Sequence, residues 1–212
     1  MLPLDGKEFR AQITAKRNKT FIVKPEASCQ GKGIFLTRGA EDIQPGERYV
    51  VQRYMHKPYL IEGFKFDLRL YVLLAGVNPL RVFLYKEGLA RFATVPYESP
   101  QPSNLGNLFM HLTNYAINKE SENFVANNSE TADDVGSKRS FTSVLRRITA
   151  EFGAERCSEV LTAIKDLIIK TLCIAQPILQ HLYKQCQPDD LDNSMCCHVL
   201  GFDVMLDSAL VP

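Results

Sequence analysis

The sequence predicts an α+β protein with helices laid on a largely antiparallel sheet. Three observations predict it. The first half breaks into short strand-like runs, the second repeats apolar residues at helical spacing, and one alternating run returns near the end.

The strand-like runs are Thr20 to Val23, Gly33 to Thr37, Tyr49 to Tyr54 and Phe64 to Leu74. Leu80 to Tyr85 and Leu89 to Thr94 flank Lys86-Glu87-Gly88, which reads as a hairpin turn with a glycine where φ must be positive. Residues 96 to 107, rich in proline and polar groups, read as loop. Glu120 to Ser140 is polar and charged and reads as an exposed, mobile connection; Ser140 to Glu151 fits a short helix.

From about Ser158 to Cys186, Leu161, Ile164, Leu167/Ile168, Leu172, Ala175, Leu179 and Leu182 recur at helical spacing, the mark of core packing. Pro177 is expected to kink or break that helix. In the last strand, Val199 to Leu206, Phe202, Val204 and Leu206 alternate with Asp203, Met205 and Asp207.

At 212 residues the chain can bury a substantial core and form one or two domains. Its formal net charge of +1 gives no global nucleic-acid or membrane signal, so any anion site must be local. Residues 1 to 20 lack the apolar core of a signal peptide, and no apolar run approaches membrane-spanning length. Cys29, Cys157, Cys173, Cys186, Cys196 and Cys197 show neither CxxC nor zinc-ligand spacing, and are expected to be reduced thiols used as small buried hydrophobes. Two glycosylation-type triplets, Asn18-Lys19-Thr20 and Asn127-Asn128-Ser129, carry little weight in a cytosolic protein.

"GFKFDLRLYVLL" (63 to 74) places Lys65, Asp67 and Arg69 on one strand face, with Phe66, Leu68 and Leu70 on the other. Two readings fit: a half-solvated strand with an ion-paired outer face, or a charged face looking into a cleft for a phosphorylated and carboxylated ligand. "FIVKPEASCQGKGIFLT" (21 to 37) sets Lys24 at a strand end before Gln30-Gly31-Lys32-Gly33. Its glycines allow close approach of backbone N–H groups to phosphate, although taken alone the loop is more simply an ordinary hairpin turn, and no P-loop helix follows.

"VVQRYMHKP" (50 to 58) turns polar before Pro58 and fits an exposed edge for adenine. "FMHLTNYAINK" (109 to 119) crowds His111, Thr113, Asn114, Tyr115 and Lys119 between apolar residues, which fits a site-lining loop or plain turn capping. Asp203 in "LGFDVMLD" needs a partner if buried, and magnesium or the neighbouring cations would serve.

Taken in order, "VKPEASCQGKGI", "VVQRYMHKP", "GFKFDLRLYVLL", "YKEGLARFAT", "MHLTNYAINK", "GSKRSF" and "LGFDVMLD" resemble the tubulin tyrosine ligase-like family of ATP-grasp ligases, its polyglutamylase members above all. The resemblance runs from about Leu2 to the end of the chain. It implies a partial ATP-grasp fold, with a central subdomain part at 1–60 and an incomplete C-terminal subdomain at 61–212.

It also implies roles. Lys24 reaches the ATP phosphates under the Gln30, Gly31, Lys32, Gly33 and Ile34 loop, and Gln52, Arg53, Tyr54 and Met55 form the adenine hinge. Lys65 and Asp67 line the nucleotide site, Asp67 toward the ribose, with Thr113 and Asn114 as further nucleotide contacts. Arg69 and Arg91 are the catalytic arginines facing the carboxylates, and Arg91, Tyr115 and Lys119 meet the incoming amino acid. Asp203 is a magnesium ligand.

The implied reaction adds free L-glutamate to glutamate side chains of tubulin tails, using ATP and Mg2+, through an acyl phosphate. Glycine as the added residue, or a non-catalytic tubulin- or nucleotide-binding module, are the rival readings. The resemblance further implies a monomer in the cytoplasm, on microtubules and at the cilium or basal body, binding neither nucleic acid nor membrane. The family completes its metal site with a glutamate and an asparagine on a strand beyond the Asp203 motif. This chain stops at "LDSALVP". The expectation is therefore a truncated region, inactive on its own.

Overall fold

The computed structural model describes residues 1–15, 19–44, 46–127, 129 and 132–212. Asn18 and Asn128, from the two triplets, lie outside the described residues. Cα packing divides the chain into two units: Met1–Phe66 with Phe92–Phe124, and Asp67–Arg91 with Val125–Pro212.

The first unit carries α1 (Gly6–Ala15), β1 (Phe21–Pro25), β2 (Phe35–Thr37), β3 (Tyr49–Arg53) and β4 (Leu60–Ile61). The sheet order is β2-β1-β3, antiparallel throughout, with Phe21 facing both Thr37 and Arg53, and Pro25 facing Tyr49. Alternation along β1 sends Phe21 and Val23 inward, against Leu2, Phe9 and Tyr49. The Phe9 and Phe21 rings meet edge-on at 5.4 Å, so α1 is held by its one buried aromatic.

β5 (Phe64–Val77) and β6 (Leu80–Phe92) run through both units. In the first, β4 pairs with the start of β5, Leu60 opposite Lys65. In the second, β8 (His198–Val204) pairs with β5, Arg69 opposite Asp203, and β7 (Lys138–Ser140) pairs with β6, Arg91 opposite Lys138. The ladders named above are all antiparallel, as expected.

β6 corrects the predicted hairpin. Residues 86 to 88 lie inside one continuous strand, and the connection is Asn78-Pro79 instead. Gly88 is present for close approach rather than for a turn: a Cβ there would sit 2.7 Å from the Arg69 carbonyl oxygen. Glu87 accepts from the Thr142 backbone N–H and hydroxyl, satisfying donors in the first turn of α4 (Phe141–Phe152). Ser140 caps the same helix through the Ser143 N–H, as an N-cap serine should.

α4 packs on α5 (Ala154–Cys186), which buries Cys157, Val160, Ile164, Ile168 and Leu172 at spacings of three or four. The predicted stripe continues too far, since Leu182 is exposed. The helix is not broken at Pro177; that position and its neighbours Ile174 and Ile178 are exposed, where water can satisfy the carbonyl that proline leaves unpaired. Among the described residues no helix is long and apolar enough to cross a membrane. The cysteine expectation also needs correcting: Cys157 is buried, whereas the other five are exposed.

Candidate functional site

Two of the three charges on the β5 face are buried, Lys65 at 3% and Asp67 at 5% exposure, which removes the half-solvated reading for both, while Arg69 is half-buried. Each charge is met by a different kind of partner.

In the first unit, Lys65 donates to the Tyr54 hydroxyl (2.9 Å) and the His111 carbonyl (2.6 Å), its Nζ 4.4 Å from the Tyr54 ring centroid. The Tyr54 oxygen lies 3.1 Å from His111 Nδ1, and His111 Nε2 lies 3.1 Å from the Asn104 carbonyl. A carbonyl only accepts, so Nε2 carries the proton and Nδ1 accepts from Tyr54. The chain of donors runs one way, from Lys65 through Tyr54 and His111 to Asn104. Burial first, then the Lys65 charge, pushes His111 below its usual range and keeps it neutral. Burial likewise holds the Tyr54 hydroxyl protonated.

The glycine loop sits in the same unit. Gln30, Gly31 and Gly33 all have positive φ, and a Cβ on Gly31 would sit 2.6 Å from Ile117 and 3.1 Å from Asn114. The loop is thus laid against the 109–119 segment, bringing together two predicted nucleotide contacts, Gly31 and Asn114. That segment folds as two short helices, α2 (Leu108–His111) and α3 (Tyr115–Asn118). Within the loop, Lys32 N–H donates to Cys29 O and Ile34 N–H to Gly31 O.

Lys24 reaches across the sheet to Gln52 (3.2 Å), joining the predicted phosphate lysine to the predicted hinge. Gln52 and Arg53 are exposed, Met55 is half-buried and Thr113 is buried. Tyr115 is exposed beside the Phe124 ring, and Lys119 pairs with Glu120 at 3.4 Å.

In the second unit, Arg91 grips Asp67 with both prongs: Nε to Oδ1 at 2.8 Å, and a short Nη2 contact to Oδ2. The same Nη2 lies 2.9 Å from Asp203 Oδ1, and Arg69 forks onto both Asp203 oxygens at 2.5 and 3.1 Å. Two carboxylates and two guanidiniums form one ladder, Asp67–Arg91–Asp203–Arg69, with no net charge. Burial opposes the Arg91 charge, yet the bonds and charge of Asp67, then Asp203, outweigh it and hold the guanidinium protonated.

A sequence model described as the tubulin-tyrosine ligase family matches residues 1–212. The chain belongs to that family. It is 53% identical over 214 residues to a Tetrahymena thermophila protein named probable beta-tubulin polyglutamylase, covering 100% of this chain and 18% of that one. It is 50% identical over 211 residues to tubulin polyglutamylase ttll6 of Danio rerio, and 46% over 211 residues to tubulin polyglutamylase TTLL6 of Homo sapiens. All of this chain is covered in both, against 26% and 23% of the relatives. It spans about a quarter or less of the curated relatives named here.

The donor set tests the ligands that this family implies. Lys24, Lys32 and a loop of left-handed residues suit the phosphates of a nucleotide. Magnesium fits poorly, because Asp203 is already shared by two arginines and no cluster of three metal-ligating side chains occurs among the described residues. His111 and Asn104, which complete the Lys65 relay, received no role from sequence. His111 lies inside a quoted motif, but nothing in its spacing marks it as buried.

Proposed function

We propose that this chain is part of an ATP-dependent ligase that adds glutamate to glutamate side chains of tubulin C-terminal tails. The observation that carries the reading is 53% identity, across the whole chain, to the Tetrahymena protein named as a polyglutamylase. ATP supplies a phosphoryl group that turns the acceptor carboxylate into an acyl phosphate, from which the amine of free L-glutamate displaces phosphate. The proposed nucleotide contacts are Lys24, residues 30–34, the 52–55 hinge, Lys65, Asp67, Thr113 and Asn114. Lys24 and Lys32 offset phosphate charge, and the hinge backbone holds adenine.

Arg69 and Arg91 orient carboxylates and offset their charge. Arg91, with Tyr115 and Lys119, receives the free amino acid. Asp203 is the proposed Mg2+ ligand, and exchange of its arginine partners must precede that role. The subdomain division at 1–60 and 61–212, a monomeric state and a cytoplasmic, microtubule-associated location at cilium or basal body belong to the same proposal. The two arginine pairs on Asp203 favour a second reading: a module that binds nucleotide or tubulin without ligating, when the chain acts alone.

The test adds radiolabelled glutamate, or radiolabelled glycine in a parallel reaction, to tubulin with ATP, using this chain and a chimera carrying the flanking regions of the Tetrahymena relative. The expected result is ATP-dependent incorporation by the chimera, weakened by Lys24→Ala through a loss of ATP affinity of about tenfold. Incorporation of glycine instead, or none by either protein, overturns the ligase reading.

A further inference from the structure

A cavity of about 210 Å³ in the first unit is lined by Lys19, Thr20, Arg38, Arg53, Tyr54, His56, Ser99 and Pro100. Three of these carry fixed positive charge, three carry hydroxyls, and none is acidic. In a chain of net charge +1, that is a strong local concentration of one sign.

The floor is built rather than accidental. Arg38 donates Nε to Thr20 Oγ1 (3.0 Å) and Nη2 to the Pro100 carbonyl, which fixes a half-buried guanidinium. Both acceptors are neutral, so neither compensates the charge. A guanidinium has five N–H donors, and these two bonds leave others for a ligand.

The strand register separates this cavity from the glycine loop. Thr20, Arg38 and Arg53 stand at the end of the sheet where Phe21 faces Thr37 and Arg53. The glycine loop leaves from the Pro25 end, roughly 13 Å along the strand at the usual rise per residue. Arg53 and Tyr54 belong to the proposed hinge, but adenine is uncharged and gives no reason for three cations. The volume also falls below the roughly 300 Å³ at which small-molecule sites begin. It suits one side chain of an extended peptide.

We propose that this pocket binds a glutamate carboxylate of the acidic chain that the enzyme works on, as an anchor away from the reacting groups. The identity of that chain rests on the ligase reading above; the pocket itself rests on its charge, size and fixed arginine. Arg38 supplies the oriented donors, while Lys19 and Arg53 at the rim draw the acidic segment in, an attraction that salt screens.

The experiment measures anisotropy of a labelled, end-capped hexaglutamate peptide with the full chain at low ionic strength. Arg38→Gln and Arg53→Gln should each weaken binding roughly tenfold, hexaglutamine should not bind, and the remote Lys170→Gln should bind as wild type. If Arg38→Gln fails to fold, the exposed Arg53→Gln carries the test alone. Undiminished binding in the variants overturns the pocket and leaves the ligase reading standing. So does displacement of the peptide by inorganic phosphate, ATP or a single-stranded oligonucleotide at matched charge. Absence of glutamate incorporation in the chimera assay removes the ligase reading whatever the peptide does.

Discussion

Asp67 takes both prongs of the Arg91 guanidinium, with the two side chains only 7% and 12% exposed. Pairing of this kind costs desolvation on both sides, so its net stabilisation is modest. Removing one partner is different, because the other charge is left buried. Asp67→Asn should therefore lower stability by about 3 kcal/mol, with Asp203 still partly compensating Arg91. Urea unfolding of the variant beside wild type measures it; a loss below about 1 kcal/mol would show that the pair relaxes into solvent.

The His111 relay gives a pH dependence. Its pKa is lowered from 6.5 in the folded state, by burial and then by Lys65, so the unfolded chain binds more protons below that value. The contribution to stability is complete above pH 6.5 and is lost as pH falls through the lower folded value. Urea midpoints should be level above pH 6.5 and drop as pH falls below it, and His111→Gln should flatten that dependence. Nitrogen-15 chemical shifts should show the Nε2–H tautomer; an Nδ1–H signal would contradict the direction of the relay.

Much of the sheet is legible in sequence because its strands alternate cleanly. Phe21 and Val23 point inward, and so do Leu68, Leu70 and Val72. Gly88 misleads because a glycine after two charged residues looks the same for a turn as for a close backbone approach. Only the tertiary position of the Arg69 carbonyl separates the two. The motif residues of the candidate site are legible through the family resemblance, and Asp203 facing Arg69 follows from strand pairing. The Lys65–Tyr54–His111–Asn104 relay spans residues 54 to 111 and depends on loop packing, which no local pattern encodes.

Gly88 also yields a substitution test. Its added Cβ would meet backbone oxygen at 2.7 Å and Leu70 at 3.1 Å, and a carbonyl inside a paired strand cannot move cheaply. Gly88→Ala should cost roughly 2 kcal/mol through overpacking. A hairpin glycine with positive φ would instead be rescued by asparagine, so Gly88→Asn distinguishes the two. It should be at least as destabilised as the alanine variant by thermal denaturation.

Arg91 bears most directly on the proposed amino-acid site. An arginine that already holds two carboxylates is shaped for a third, provided Asp67 or Asp203 releases one prong. Alanine would strand the buried Asp67, so the informative change is Arg91→Lys, which keeps the charge and loses the fork. In the chimera it should raise the KM for free glutamate about tenfold while leaving the KM for ATP within about twofold, since a lost bidentate contact costs on the order of 1.4 kcal/mol. Asp67 and Asp203 hold Arg91 protonated above its ordinary range, so titration of this residue cannot produce the effect. Steady-state kinetics with each substrate varied in turn decide the matter. A rise confined to ATP would move Arg91 to the nucleotide side and leave the incoming amino acid to Tyr115 and Lys119.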